Sequence, residues 1–179
     1  KDETIVRMPF EVRHMGSKYP IFSFDFTGAK RGVLPASYDY LRLEGRMQYR
    51  LNLPPIGYSQ LMLEGGKIFG KVPYLLLKLH EGNGTYFYDR YAFSCMNFYE
   101  FSSDAWISFF YEHHFNGFLL GRVPLLKKLN WREVFVFKGV YGTLSARNDG
   151  SLPNTKAVML FPVGMSSVEH PYLETGFGI

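Results

Sequence analysis

The chain has 179 residues, 46% hydrophobic and 18% aromatic, and its 20 basic and 16 acidic residues give a formal charge of +4. That charge is too mild, and too interleaved with apolar residues, to indicate a nucleic-acid partner. The single Cys95 excludes an intrachain disulfide framework and fits no Cys-based metal motif. No apolar run approaches the ~18 residues that a membrane-spanning helix needs, so the 17 Phe and 13 Tyr must coat a large surface of another kind.

The chain opens at Lys1 without a basic start, an apolar stretch and a small-residue cleavage site, so no signal peptide is read there. The other end, Leu173 to Ile179, breaks off in mid-alternation. The sequence is therefore read as a fragment cut at both ends.

In chain order, Val6, Met8, Phe10 and Val12 alternate with Arg7, Pro9, Glu11 and Arg13, which predicts a first strand. After a short connection near 15–19, Pro20 precedes Phe22, Phe24 and Phe26, which share one side opposite Ser23 and Asp25. The clearest stretch follows a longer connection at 28–37. Leu41, Leu43, Gly45, Met47, Tyr49, Leu51 and Leu53 take the odd positions, while Arg42, Glu44, Arg46, Gln48, Arg50 and Asn52 take the even ones. Successive strand residues point to opposite faces, so one face is oily and the other wholly polar; a helix would scatter both sets. The run exceeds the ~9–11 residues of a membrane-crossing strand and the ~5–6 of an average soluble one.

Leu53-Pro54-Pro55-Ile56-Gly57 predicts a tight turn. Leu61, Leu63 and Gly65 then alternate with Gln60, Met62 and Glu64. A long connection at 70–90 includes a helical turn after Pro73. Phe98 to Phe101 is read as a strand, Ser102-Ser103-Asp104 as a short turn, and Ala105 to His114 as the next strand. A longer connection at 116–130 carries a second helical turn after Pro124. Strands are predicted over 131–144 and 171–179, making about eight. This alternation of short turns and long loops is that of membrane barrels, except that 145–170 falls on the short-turn side despite its length.

The stretches RMPFEVRHMGSKYPIF, LEGGKIFGKVPYLLLKLHEGNGTYFYDRYAF, EHHFNGFLLGRVPLLKKLNWREV and HPYLETGFGI together resemble the C-terminal barrel of a Bacteroidetes-type outer-membrane family of unknown function. Members of that family carry an N-terminal carboxypeptidase-regulatory-like domain. The barrel is distantly similar to the sixteen-stranded barrels of the BamA/TamA surface-antigen superfamily of assembly factors. The resemblance implies that residues 1–179 form the C-terminal part of a single barrel domain, with segment 70–90 matching a loop that folds back into the lumen. In the assembly factors this loop carries an Arg-Gly-aromatic motif; here the nearest match is Asp89-Arg90-Tyr91, without the Gly.

Candidate sites follow from the alternation. Arg42, Glu44, Arg46, Gln48 and Arg50 are expected to face the lumen, and Leu41, Leu43, Met47, Tyr49 and Leu51 the lipid. Arg90 is expected to reach into the lumen and pair with Glu100 or Glu112, because a charge in a confined interior needs a partner. Glu112-His113-His114 offers good zinc ligands, but on a strand Glu112 and His114 share a face while His113 points away, so a polar lumen pair is expected rather than a metal site. Gly65-Gly66 and Gly82-Asn83-Gly84 lack the residues that follow a phosphate loop and are read as turn or close-packing glycines. Ser108 and His114, the nearest pair for a lipid hydrolase, would lie about 20 Å apart on one strand, too far for proton transfer. Trp106, Trp131, Tyr99 and Tyr111 are expected in aromatic girdles at the membrane interfaces.

The sequence thus predicts an all-β, antiparallel, up-and-down transmembrane barrel fragment of about eight strands, with no catalytic residue, cofactor or metal. The expected address is the outer membrane of a Gram-negative-type cell. Expected partners are outer-membrane lipid and other outer-membrane or periplasmic proteins, with no nucleic acid. The expected role is outer-membrane protein assembly or translocation. The alternatives are a passive channel, a structural anchor for a periplasmic domain, or a soluble β-sheet binding module.

Overall fold

The computed structural model describes residues 3–7, 12–17, 19–32, 37–83, 89–168 and 170–179. Its strands, in order, are β1 (Glu3–Arg7), β2 (Val12–Ser17), β3 (Ile21–Ala29), β4 (Tyr40–Asn52) and β5 (Tyr58–Gly70). Two short strands follow, β6 (Lys78–Leu79) and β7 (Phe101–Ser103), then β8 (Ala105–His114), β9 (Val134–Thr143), β10 (Ser166–Ser167) and β11 (Tyr172–Gly178). Among the described residues there is no α-helix. Single 3₁₀ turns occur at Tyr74–Leu76, just after Pro73, and at Leu120–Arg122 and Lys127–Leu129.

Six strands form the main sheet, in the order β11-β9-β8-β5-β4-β3, and every neighbouring pair in it is antiparallel. The sheet is open among the described residues, with β11 and β3 at its edges. The fold is therefore all-β and largely antiparallel, with no closed barrel among the described residues. β1 and β2 pair with each other in a separate sheet. The alternation expected as one strand over 6–13 is thus divided between two, with 8–11 outside the described residues.

The register of the main sheet runs without a shift through all five pairings. β4 and β5 pair from Tyr40↔Gly70 to Asn52↔Tyr58. At ~3.4 Å per residue, such thirteen-residue strands are roughly 40 Å long. The turn between them is closed by Leu53 N–H donating to Gly57 O and Ile56 N–H donating to Leu53 O, both at 2.8 Å. Gly57 has φ +107°, and a Cβ there would fall 1.8 Å from His114 O, so only glycine fits.

The reading of 98–104 needs correction. Only Phe101–Ser103 is extended, and it belongs to a small sheet in which β7 lies between β6, antiparallel, and β10, parallel. It is not a wall strand, and β5 pairs directly with β8. Removing it moves 144–171 to the end of the long connections, where it no longer conflicts, but it places 115–133, expected among the long loops, at the end of the tight turn. The connections 30–39, 71–104 and 144–171 all lie at one end of the sheet, where Ile68 N–H donates to Asp104 O and Asp104 N–H to Thr143 O. The tight turn 53–57 and the connection 115–133 lie at the other end.

Because alternate residues share a face and the register is unshifted, the even positions of β4, β5, β8, β9 and β11 lie on one side, together with the odd positions of β3. That side is covered. The described residues of segment 71–104 lie across it, and two apolar clusters join the two. In one, Phe93 and Met96, each only 1% exposed, pack with Met62, Phe110 and Val140. In the other, Val72 and Leu77 pack with Ile68 and Trp106. Trp106 is seated over Gly66, where a Cβ would come within 2.6 Å of its ring and 2.7 Å of Leu43 O. The close approach foreseen for Gly65-Gly66 is thus to an indole as well as to backbone. Gly66→Val is expected to expel the ring and destabilise the fold by about 1–3 kcal/mol, read as an earlier thermal transition in tryptophan fluorescence.

Candidate functional site

The two faces of the sheet differ in what they carry and in what covers them. On the polar face, Arg42, Glu44, Arg46, Gln48 and Arg50 stand in one row along β4, opposite Ile68, Gly66, Glu64, Met62 and Gln60 of β5. Glu64 is the hub of the first charge group and is 4% exposed. It accepts from Arg46 Nη2 at 2.7 Å, lies 2.5 Å from Lys78 Nζ, and accepts the Trp106 indole N–H at 3.3 Å. Arg42 pairs with Glu44 at 2.6 Å and lies over the Trp106 ring at 5.3 Å. Gln48 Nε2 donates to Met62 Sδ at 3.7 Å, and Arg50 lies over the Tyr58 ring at 4.1 Å. A carboxylate this enclosed needs several donors to offset its lost hydration, and Lys78, from the covering segment, is one of them.

A second group holds the middle of segment 71–104. Arg90 Nε lies 2.9 Å from Glu112 Oε2, and its Nη1 donates to Gln60 Oε1. His114 Nε2 lies 2.5 Å from Glu112 Oε1, and the His114 ring stacks on Tyr58 at 4.5 Å. Arg90, Glu112 and His114 are therefore brought together. Glu100 is not among them: its carboxylate accepts from Asn97 N–H and Asn97 Nδ2 instead. Among the described residues, no three His, Cys, Asp or Glu side chains are grouped to hold a metal ion.

The third group was not foreseen. Glu174 on β11 accepts the backbone N–H groups of Ser94 at 2.8 Å and Cys95 at 2.7 Å. Lys138 on β9 donates to Ala92 O. Both lie on the polar rows that alternation defines, so strand parity could have located them; their backbone partners have no signature in the sequence. Beyond this clamp the covering is incomplete. A cavity of about 440 Å³ remains over Val134, Val136, Gly176 and Gly178.

Near the other end of the sheet, Asp104 accepts from Ser145 N–H at 3.0 Å and from Asn148 Nδ2 at 3.2 Å. Asn148 in turn accepts Val72 N–H at 3.1 Å, which ties the start of 144–171 to the root of the covering segment. His80 is 2% exposed and shares a 2.9 Å hydrogen bond with Ser103. Burial, with Lys78 beside it, pushes its pKa down to about 4.

The opposite face carries Phe22, Phe24 and Phe26 on β3, Leu41, Leu43, Met47, Tyr49 and Leu51 on β4, and Leu61 and Leu63 on β5. It continues with Ile107, Phe109 and Tyr111, then Phe135, Phe137 and Tyr141, then Leu173 and Phe177. None of these residues enters either buried cluster. Phe24 is 83% exposed and Phe26 74%; Leu43 is exposed, while Leu41, Met47, Tyr49 and Leu51 are half-buried against their neighbours. Of the expected girdle aromatics, Trp106 is instead on the polar face and buried.

Polar atoms are sparse on this apolar face, and those at its turn end satisfy one another. Ser59 Oγ lies 2.7 Å from His113 Nδ1 and 3.0 Å from Tyr111 Oη, and His113 Nε2 donates to Ile56 O at 3.1 Å. This Ser–His contact was missed in the sequence because its members sit on different strands. Ser59 is 1% exposed. Its hydroxyl is enclosed and engaged, and the cluster pins the 53–57 turn. Ser108 and His114, the pair weighed from sequence, remain apart: Ser108 stands opposite Glu64 and His114 opposite Tyr58.

The architecture is that of an all-β protein whose main antiparallel sheet has one face strapped by a long polar-anchored segment and the other apolar and, among the described residues, uncovered. The chain belongs to a family of unknown function, matching the DUF5686 C-terminal domain over residues 4–146. No curated protein and no solved structure matches it.

Two outcomes follow from the straps. Reversing Arg90→Glu alone should cost roughly 1–2 kcal/mol of local stability, since the arginine is partly exposed. It should also speed protease cleavage within 71–104. Combining it with Glu112→Arg should restore much of the protection; a double variant cleaved as fast as the worse single one would refute the pairing. The buried neutral His80 favours the folded state above its ordinary pKa of 6.5, and that stabilisation is lost as pH falls from 6.5 toward about 4. Cleavage of the segment should therefore rise over that interval, and His80→Gln should flatten the profile.

Proposed function

We propose that this chain is part of the wall of an outer-membrane β-barrel, with the apolar face toward lipid, the polar face toward the lumen and segment 71–104 as a lumen plug. The bare apolar face carries the reading. Soluble monomers rarely leave more than a few hundred Å² of contiguous apolar surface in water, whereas here aromatic and aliphatic rows continue across six strands. The two longest strands, β4 and β5, at roughly 40 Å and a tilt of ~45°, suit a hydrocarbon layer of about 30 Å. Lipid satisfies no backbone N–H or C=O, so the two sheet edges require further strands.

On this reading Arg42, Glu44, Arg46, Gln48 and Arg50 are lumen residues, and Arg90, Glu112 and His114 are plug contacts. The resemblance to outer-membrane assembly factors favours a role in protein assembly or translocation, with the barrel acting mechanically rather than by bond chemistry. The apolar clusters around Phe93 and Trp106 favour a plugged wall over a passively open channel. A structural anchor for a periplasmic domain remains the second reading, since a plug suits it equally.

The test begins with fractionation. The full-length protein should sediment with outer membranes and require detergent for release; recovery in the aqueous fraction would exclude the barrel. Reconstituted in planar bilayers, it should conduct poorly, and Glu174→Ala with Arg90→Ala should raise conductance severalfold. Its depletion should lower the level of other assembled outer-membrane barrels; unchanged levels would leave the anchor as the role.

A further inference from the structure

The connection 115–133 carries Arg122, Lys127, Lys128 and Arg132 and a single acid, Glu133, so it holds most of the formal +4 of the whole chain. The acid is used internally. Glu133 accepts the backbone N–H groups of Gly117, at 3.1 Å, and Leu120. Burial works to raise its pKa, but the N–H groups of Leu120, Glu133 itself, Gly117 and Leu119 outweigh it and hold the carboxyl below its usual range. Its charge is therefore directed into the loop rather than at the cations. Arg122 lies over the Phe118 ring at 4.0 Å.

Between these cations the loop presents apolar side chains to the surroundings. Leu125 is 81% exposed, and Leu119, Val123, Leu129 and Trp131 are exposed as well. The connection continues the apolar face directly. An aromatic row runs from Phe109 to Tyr111 and His113, and His113 meets Phe115, the first residue of the loop, at 4.3 Å. The connection 144–171, at the other end of the sheet, also exposes aliphatic residues, but its acids and bases are equal in number. Charge therefore distinguishes the two ends.

We propose that the connection 115–133 is an interfacial anchor that docks onto anionic glycerophospholipid, its aliphatic residues and Trp131 among the acyl-chain ends and its four cations on the headgroup phosphates. This rests on the barrel reading of the sheet. In such barrels the end with the shorter connections faces the periplasm, and here that is the end of 53–57 and 115–133, since the longer 71–104 and 144–171 lie at the other. The leaflet there is phospholipid, which selects that lipid over lipopolysaccharide as the partner. Exposed aliphatics interleaved with Lys and Arg, with a Trp at the boundary, match the chemistry of an interface where one side is apolar and the other anionic. Each cation close to an anionic surface changes the local partition by roughly fivefold at low salt.

The full-length protein is reconstituted into vesicles of phosphatidylcholine, with or without phosphatidylglycerol, containing lipids brominated near the headgroup. The Trp131 signal is taken as the difference between wild type and Trp131→Phe, and integration is scored separately by resistance to alkaline extraction. Quenching of Trp131 should be roughly twofold stronger with phosphatidylglycerol at low salt and should lose that increment at ~1 M salt, where screening acts within about 3 Å. The variant R122Q/K127Q/K128Q/R132Q should stay integrated and lose the increment. Integrated wild type with equal quenching in both lipids, or with salt-independent quenching, overturns the anchor alone. Wild type that is extracted by alkali overturns the barrel reading, and the anchor with it. The salt titration uses only wild type, so it decides the matter even if the variant misfolds.

Discussion

In an extended chain each side chain and its neighbour are committed to opposite sides, and here six strands keep that commitment in phase. The register from Ile21↔Gln48 through Gly178↔Val134 contains no shift. A one-residue slip in any pairing would carry Phe or Leu under the covering segment and Arg or Glu onto the apolar side. Both errors are costly. The charges would lose their partners, and Phe93 and Met96 would lose their seats against Met62 and Phe110. The alternation thus specifies pairing more strongly than the hydrogen-bond ladder does, because the ladder is nearly indifferent to the direction of side chains.

The covering segment is held by two kinds of interaction with different roles. Burial of Phe93, Met96, Val72 and Leu77 supplies the non-directional part, of the order of 1.5–3 kcal/mol for each large side chain. The ion pairs and backbone clamps at Glu64, Glu112 and Glu174 supply position. A buried charge whose partner is removed is left uncompensated, so these contacts penalise displacement more than they reward docking. Such a segment is firmly located while its polar partners are intact, and each group is a separate point at which it can be loosened.

The long strands were legible because they obey a simple alternation: Tyr40–Asn52 is nearly the stretch that the Leu/Arg pattern marks, and Ala105–His114 coincides with its predicted limits. The proline turn at 54–55 was equally clear, since Gly57 supplies the positive φ that closes it. The misread element was Phe98–Asp104. Phe and Tyr favour strands wherever they occur and Ser-Ser-Asp has turn composition, and nothing local reports that Phe101–Ser103 pairs with two-residue strands distant in sequence. At the site, Glu64 and Glu112 were visible through parity. Glu174 and Lys138 stand on the same polar rows, but their backbone partners leave no sign in the sequence, and neither does the Ser59–His113 contact between strands. Trp106 shows a further limit: an indole between strand residues looks like an interface aromatic until Gly66 opposite it reveals the seat.

The covering segment joins β5 to β8, two strands that pair with each other, so both of its ends are sewn into adjacent positions of the same sheet. It cannot dissociate, exchange with another molecule or be diluted away. Its opening and closing are first-order events, and its local concentration is set by a tether of some thirty residues rather than by the amount of protein present. A displaced segment returns as readily in a dilute sample as in a concentrated one. Whatever displaces it must outcompete a partner that is always within reach.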